Sequence, residues 1–350
     1  MSSSSRLGRN FRARFRRFIW RGNGLKVKFW GTRGSLPQTI SNSDALNLID
    51  ALITESERQG IDSLKAFKIA LHQGQLANPI SYGGNTSCTE VLHGAQSFFV
   101  DMGSGLRDAG SFYMPQGVKE FHIFLTHMHW DHLIGLPFFI PIHVPGYTVK
   151  IYHIHKNAPE HVKIKFNGVN FPLTWDQLGG KIEFVQMKLY EPKPFGDISV
   201  TPFALDHPGG SFGYRFDGGG KSCAVGVDGE YKRTTVKDLG KDLPFYQNLD
   251  LLIFDSQYEI AELASRFDWG HCTPTIGVDL SLRECIKTIV FTHHDPWATN
   301  AKILRMHAHA TTHAKVQLPA FKDRWIAAKQ PNGPKLISAW DGLEIDLDVP

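Results

Sequence analysis

Cysteine is scarce. The 350 residues contain four, Cys88, Cys223, Cys272 and Cys285, and no two form a CxxC pair. This excludes a disulfide framework and a thiolate zinc knuckle, and it suits a reducing, cytoplasmic setting. Long apolar runs are missing as well: the stretch from Leu133 to Pro145 is broken by Gly135, Pro137, Pro141 and His143. It falls short of the ~20 residues a spanning helix needs, so no transmembrane segment is expected. Charge of one sign is also in short supply, with Lys+Arg 38 against Asp+Glu 34 and a net +4. A protein so balanced is not a nucleic-acid binder through bulk electrostatics, and any anionic partner must be met locally. Acidic residues are absent from 1–24, where Arg12, Arg14, Arg16 and Arg17 interleave with Phe11, Phe15, Phe18, Ile19 and Trp20. This segment reads as a basic amphipathic arm for a membrane surface, RNA or a partner subunit, or as a solvated terminus.

Histidine, by contrast, is abundant, at 17 residues. Hydrolytic metal sites favour imidazole and carboxylate over thiolate, so the excess of His over Cys is informative. From Leu25 onward the pattern is α/β. Strands are predicted at 25–30, 88–92, 97–100, 122–126, 150–154, 182–185, 198–203, 211–216, 222–227, 251–254 and 288–291. Several of these end in His or Asp. Residues 43–74 carry an apolar stripe of Leu46, Leu48, Ile49, Leu52 and Ile53 at helical spacing, which predicts a helical insertion over about 38–80. With no further shift in composition and no repeat, residues 25–350 read as one domain.

The densest chemistry is Thr126-His127-Met128-His129-Trp130-Asp131-His132, directly after the apolar strand at 122–125. Four ligand-type side chains in six positions are costly to bury unpartnered, which favours a metal site over a packed core. Alternation along an extended loop sends His127 and His129 to one side, while Asp131 and His132 turn to another. That division suits two adjacent divalent cations, which activate water and neutralise phosphate oxygens. Imidazole and carboxylate without a thiolate suit Zn²⁺ or Mn²⁺, with Zn²⁺ the first expectation.

This HxHxDH loop resembles the signature of the metallo-β-lactamase superfamily, a match covering roughly residues 25–300. The resemblance implies an αβ/βα four-layer sandwich and supplies the remaining ligands: His207 in Asp206-His207-Pro208-Gly209, Asp228 as the bridging carboxylate, and His293 closing Ile289–Thr292. A segment Trp269-Gly270-His271-Cys272-Thr273 is similar to the His-Ser-Thr motif of the RNase Z-like phosphodiesterases, with Cys272 in place of serine. There His271 would be the general acid, Asp255 its orienting carboxylate, and Asp131 an acceptor for the proton of an attacking metal-held hydroxide.

True RNase Z carries a long arm between the third histidine and the bridging aspartate. Here about 20 residues separate His207 from Asp228, so the grip on a large folded RNA is missing and no large nucleic acid is expected as partner. Gly31-Thr32-Arg33-Gly34-Ser35 and Tyr82-Gly83-Gly84-Asn85-Thr86 look instead like the small cyclic-nucleotide phosphodiesterases of the anti-Pycsar type. The resemblance then implies hydrolysis of a 3′,5′-cyclic nucleotide or similar phosphodiester, with Asn85, Thr86 and His294 as substrate contacts. It also implies a homodimer in which the insertion caps the pocket. Alternatives are a nuclease acting on RNA or DNA, if the basic arm replaces the grip, and a non-catalytic metal-bound sensor, against which the proton donor His271 argues. Arg33 reads as a surface residue or a phosphate ligand. Trp130 and Trp269 read as base-stacking groups or core anchors, and His153, His155, His307, His309 and His313 as packing or surface residues.

Overall fold

The computed structural model describes residues 24–72 and 81–349. The basic arm expected over 1–24, but for Gly24, lies outside the described residues, as does the end of the insertion at 73–80. Among the described residues, fourteen strands form two sheets of seven. The first runs β14 (Glu344–Asp346), β1 (Lys26–Gly31), β2 (Cys88–His93), β3 (Gln96–Val100), β4 (Glu120–Phe124), β5 (Thr148–His153) and β6 (Lys181–Gln186). The second runs β13 (Lys335–Ser338), β12 (Thr288–Thr292), β11 (Leu251–Asp255), β10 (Lys221–Gly226), β9 (Ser211–Gly218), β8 (Ile198–Leu205) and β7 (Lys193–Phe195). Each sheet is antiparallel on one side and parallel on the other: β3 to β6 are parallel, as are β10 to β13.

Strand alternation explains the four layers. In Leu251-Leu252-Ile253-Phe254, Leu251 and Ile253 join the core between the sheets, while Leu252 and Phe254 join a second core beneath helices. Parallel strands covered on both faces need such unbroken apolar runs. The inter-sheet core brings Phe29, Val91, Phe98 and Phe124 of the first sheet against Tyr214, Phe216, Val225 and Val290 of the second. The outer face of the first sheet packs on helix Gly105–Tyr113 through Leu106, Ala109 and Tyr113. Helices Pro274–Glu284 and Asn300–Gln317 cover the second through residues such as Val278, Leu282 and Ala310. The result is the αβ/βα sandwich.

Three short strands escape the periodicity reading: β7, β13 and β14 have 3, 4 and 3 residues. All three lie at sheet edges, where one partner suffices and little alternation is needed. Between β9 and β10, Gly219 and Gly220 form the whole turn with φ of 58° and 73°. Positive φ at both central residues is what a twist-matched tight hairpin requires. The insertion forms helices α1 (Asn42–Arg58) and α2 (Leu64–His72). Among the described residues no helix is long and apolar enough to cross a membrane.

Candidate metal centre

Six strand ends meet at one edge of the sandwich. Each supplies a ligand-type side chain just where the backbone leaves its ladder: β4 leads to His127–His132, β8 to His207, β10 to Asp228 and β12 to His293, while β3 and β11 bring Asp101 and Asp255. Asp101, Asp228 and His293 hold φ of 68°, 57° and 60°. A non-glycine residue in the left-handed region costs energy, so the surrounding structure holds these three turns in place.

The side chains fall into two groups that share one carboxylate. His127, His129 and His207 gather around Asp228, and Asp131, His132 and His293 gather on its other side. Nε2 of His127 and of His207 lie 3.9 and 3.7 Å from Asp228 Oδ1. On the other oxygen, Nε2 of His132 and of His293 lie 2.9 and 3.1 Å from Oδ2. Asp131 Oδ2 sits 3.3 and 3.2 Å from the same two nitrogens.

Four imidazoles are anchored by their other nitrogen. Nδ1 of His132 donates to Asp101 at 2.7 Å, Nδ1 of His293 to Gln257 Oε1 at 2.9 Å, Nδ1 of His207 to the Pro208 carbonyl at 2.7 Å, and Nδ1 of His127 to Thr126 Oγ1 at 3.0 Å. A ring held in this way presents Nε2 as a lone pair to the centre, the usual support of a metal-bound histidine. Among the described residues, His127 Nε2 and His207 Nε2 are buried without a hydrogen-bond partner. Buried polar atoms left unpaired are expensive, and two such nitrogens converging beside the Asp228 carboxylate fit a cation that would satisfy them. Nitrogen and oxygen donors without sulfur suit a borderline or hard divalent ion.

Electrostatics point the same way. Burial lowers the pKa of His127 well below its ordinary value, and that of His207 as well. Burial acts likewise on His132 and His293, but carboxylates outweigh it: Asp228, Asp131 and Asp101 raise His132 well above the imidazole range, and Asp228, Asp131 and Asp255 push His293 up to about 9. Burial works to raise Asp131 and Asp228, yet the neighbouring imidazoles hold both well below the carboxylate range. The pocket is therefore a sink for positive charge.

His271 stands beside the second group. Its Nδ1 lies 3.0 Å from Asp255 Oδ2, and its ring stacks on His293 at 5.0 Å between centroids. The side chain is 11% exposed, and among the described residues Nε2 has no hydrogen-bond partner. Asp255 is fully buried and also accepts backbone N–H groups from Asp228, Gln257 and Cys272. One carboxylate thus fixes His271 and the backbone of a shared ligand together. Ser35 N–H donates to Asp131 Oδ2 at 2.7 Å, and the adjacent Gly34 lies so near His293 that a Cβ would fall 2.4 Å from its Nδ1.

The residues expected as substrate contacts are tied into the loops around the centre. Thr86 is fully buried; its hydroxyl donates to the Asp131 carbonyl at 2.7 Å and accepts from Ser104 N–H. Asn85 donates to Asp108 and accepts from Ser104 Oγ. His294 bonds the Ala339 carbonyl, and its pKa falls to about 3 through burial and Arg33. All three of these groups brace the loops beneath the ligands. Arg33 is not a surface residue, being 2% exposed and donating to the carbonyls of Gly83, Asp295 and Ala298. Trp130 and Trp269 are not core anchors, since they are 60% and 59% exposed beside His129 and His271, with Trp297 at 79% beyond His293. His153, His155 and His307 make packing bonds to His155 O, Gly210 O and Ser338 Oγ, whereas His313 meets the carboxylate of Asp279. Asp101 and Gln257 are the supporting residues the sequence reading missed. Asp101 has the same signal as Asp228, an Asp closing an apolar strand, while Gln257 has none.

Fold and centre define a class: an αβ/βα sandwich with a buried imidazole and carboxylate site, shared by strand ends of both sheets and suited to divalent cations. The chain belongs to the β-lactamase superfamily, matching the family described as "Beta-lactamase superfamily domain" over residues 100–294. Solved structures with the same fold include the metallo-β-lactamase fold protein YhfI from Bacillus subtilis (TM-score 0.59, 15% identity, covering 92% of this chain and 98% of that one). A diphosphatase of the PhnP family is similar at TM-score 0.56 and 16% identity, covering 92% and 97%. Human tRNase Z, short form, is similar at TM-score 0.51 and 16% identity, covering 92% and 99%. No curated protein matches the chain in sequence.

Proposed function

We propose that the protein is a metal-dependent phosphodiesterase hydrolysing a small phosphodiester of the 3′,5′-cyclic nucleotide type, in the cytoplasm. The observation that carries this reading is His271. It is oriented by a buried carboxylate, stacked on a ligand-type histidine, and has a free Nε2 at the opening. A pure metal-binding protein has no use for such a group. His127, His129, His207 and Asp228 would hold one divalent cation, and Asp131, His132, His293 and Asp228 a second, with zinc ahead of manganese. When bound, such cations supply Lewis acidity toward phosphoryl oxygens and acidify water.

The chain's own residues do the rest. Asp255 accepts Nδ1–H of His271 and so aims Nε2–H outward, where it passes its proton to the departing ribose oxygen. Asp131 already accepts Ser35 N–H and faces two imidazoles, so its oxygen serves as a ligand better than as a proton acceptor. Exposed Trp130 and Trp269 flank the opening and offer flat faces for a nucleobase. The plain β9–β10 hairpin between His207 and Asp228 leaves no arm with which to hold a folded RNA.

The test is hydrolysis, by the zinc- or manganese-loaded protein, of 3′,5′-cyclic nucleotides, cyclic dinucleotides, bis(p-nitrophenyl) phosphate and precursor tRNA. Turnover of a cyclic nucleotide is expected. Cleavage of tRNA alone would replace this reading with that of a nuclease.

A further inference from the structure

The segment between β5 and β6 stands beside the centre. Strand β5 runs parallel to β4 and ends at the same edge of the first sheet, so the chain leaving it emerges next to the loop at 127–132. After the helix Ala158–Lys163 comes an excursion, 164–175, closed by an antiparallel bridge between Asn167 and Thr174. The Asn167 side-chain carbonyl accepts the N–H groups of Val169 and Asn170. Buried Phe166 packs on Phe171 and Trp175, with 5.4 Å between centroids in each pair. Phe171 in turn meets Phe138, on the chain just beyond His132. The excursion is thus a fixed ledge against the ligand-bearing loop.

Lys165 is the sole charged residue of 164–175. Its Nζ lies 3.9 Å from the ring centroid of Trp130, the residue between His129 and Asp131. The side chain is half-buried, burial lowers its pKa, and no carboxylate acts against that. Among the described residues the ammonium has neither an ion pair nor a hydrogen-bond acceptor. An indole face attracts a cation but leaves its N–H donors without a lone pair. By contrast, Lys232, on the ring of Phe267, is paired with Glu230 and Asp268. A cation partly removed from water and left unpaired is costly, and an anion arriving with the ligand would offset that cost. The bound divalent cations would take the scissile phosphate itself, which leaves Lys165 for a second anionic group of the same ligand.

We propose that Lys165, held on Trp130, is a specificity determinant that binds a second phosphate of the substrate, which makes the preferred class a cyclic dinucleotide over a cyclic mononucleotide. For the scissile group this rests on the phosphodiesterase reading.

The test compares cyclic AMP with cyclic di-AMP, which share base and linkage but carry one and two phosphates. Both kcat/KM for the two compounds and calorimetric affinity for their phosphorothioate analogues are measured on the metal-loaded full chain. K165M removes the charge and keeps a stem on Trp130, while K165R restores the charge. The wild type is expected to favour cyclic di-AMP by about tenfold or more, and K165M to lose about 10–100-fold of that preference, in KM rather than kcat. K165R should keep most of it, with metal content equal in all three. Equal treatment of the two compounds by the wild type, or a preference unchanged in K165M, overturns the proposal, because a lysine that merely packs would leave the ratio alone. If neither compound is cleaved yet the cyclic di-AMP analogue binds by a Lys165-dependent margin, the phosphodiesterase reading falls and the phosphate subsite stands.

Discussion

Replacing His271 by alanine tests the proposed chemistry most directly. The variant removes a ring whose Nδ1 is 3.0 Å from Asp255 and whose Nε2 is the only nitrogen it offers outward. Asp255 keeps three backbone donors at 2.9, 3.1 and 3.2 Å, so Asp228 stays in place and the cations should be retained. Loss of a general acid costs about 10²–10⁴ in rate, or about 3–5 kcal/mol of barrier. The cost should depend on the leaving group. A ribose alkoxide needs the proton, whereas p-nitrophenolate departs as a stable anion and should lose roughly tenfold or less. Measuring kcat/KM for H271A and wild type on a cyclic nucleotide and on bis(p-nitrophenyl) phosphate, with metal content determined by mass spectrometry, separates the cases. Equal losses on both substrates at unchanged metal content would refute the proton-donor role, as would an unimpaired rate on the cyclic nucleotide.

Other expectations follow from the same geometry. Q257L removes the acceptor that orients His293 and should weaken binding at the Asp131, His132 and His293 group by about 10–100-fold, while the other group binds as before; chelator competition showing two unchanged affinities would contradict this. Because His293 is raised from 6.5 to about 9 and His132 is raised as well, the metal-free protein gains stability from those protons at low pH and loses that gain as pH passes about 9. Cations must displace the same protons, so affinity should climb with pH toward about 9, with proton release visible by calorimetry in buffers of different ionisation heat; binding without proton release would refute it. R33M leaves the carbonyls of Gly83, Asp295 and Ala298 without their donor and should lower unfolding free energy by about 3 kcal/mol or more; urea titration with a loss below about 1 kcal/mol would show that those loops do not need it.

The sandwich was legible because its central strands are unbroken apolar runs, and a run such as Leu251–Phe254 is needed only where both faces are covered. The cluster of ligand-type side chains was legible for a related reason, since such residues recur where those runs stop. What the chain did not announce depends on residues far apart in sequence. Arg33 looks like a turn arginine until carbonyls from Gly83, Asp295 and Ala298 close over it. Thr86 looks like a loop hydroxyl until the Asp131 carbonyl reaches it. Gln257 carries no pattern at all, because its role is set by the ring of His293, 36 positions away. The edge strands β13 and β14 were hidden by brevity.

The ligands come from both halves of the sandwich: His127 to His132 hang from the first sheet, and His207, Asp228 and His293 from the second. An ion held there would act as a staple across the seam, with side chains of both halves around it. Chelation should be felt as a loosening between the two layers, with amide exchange rising along the shared apolar interior before the outer helices respond.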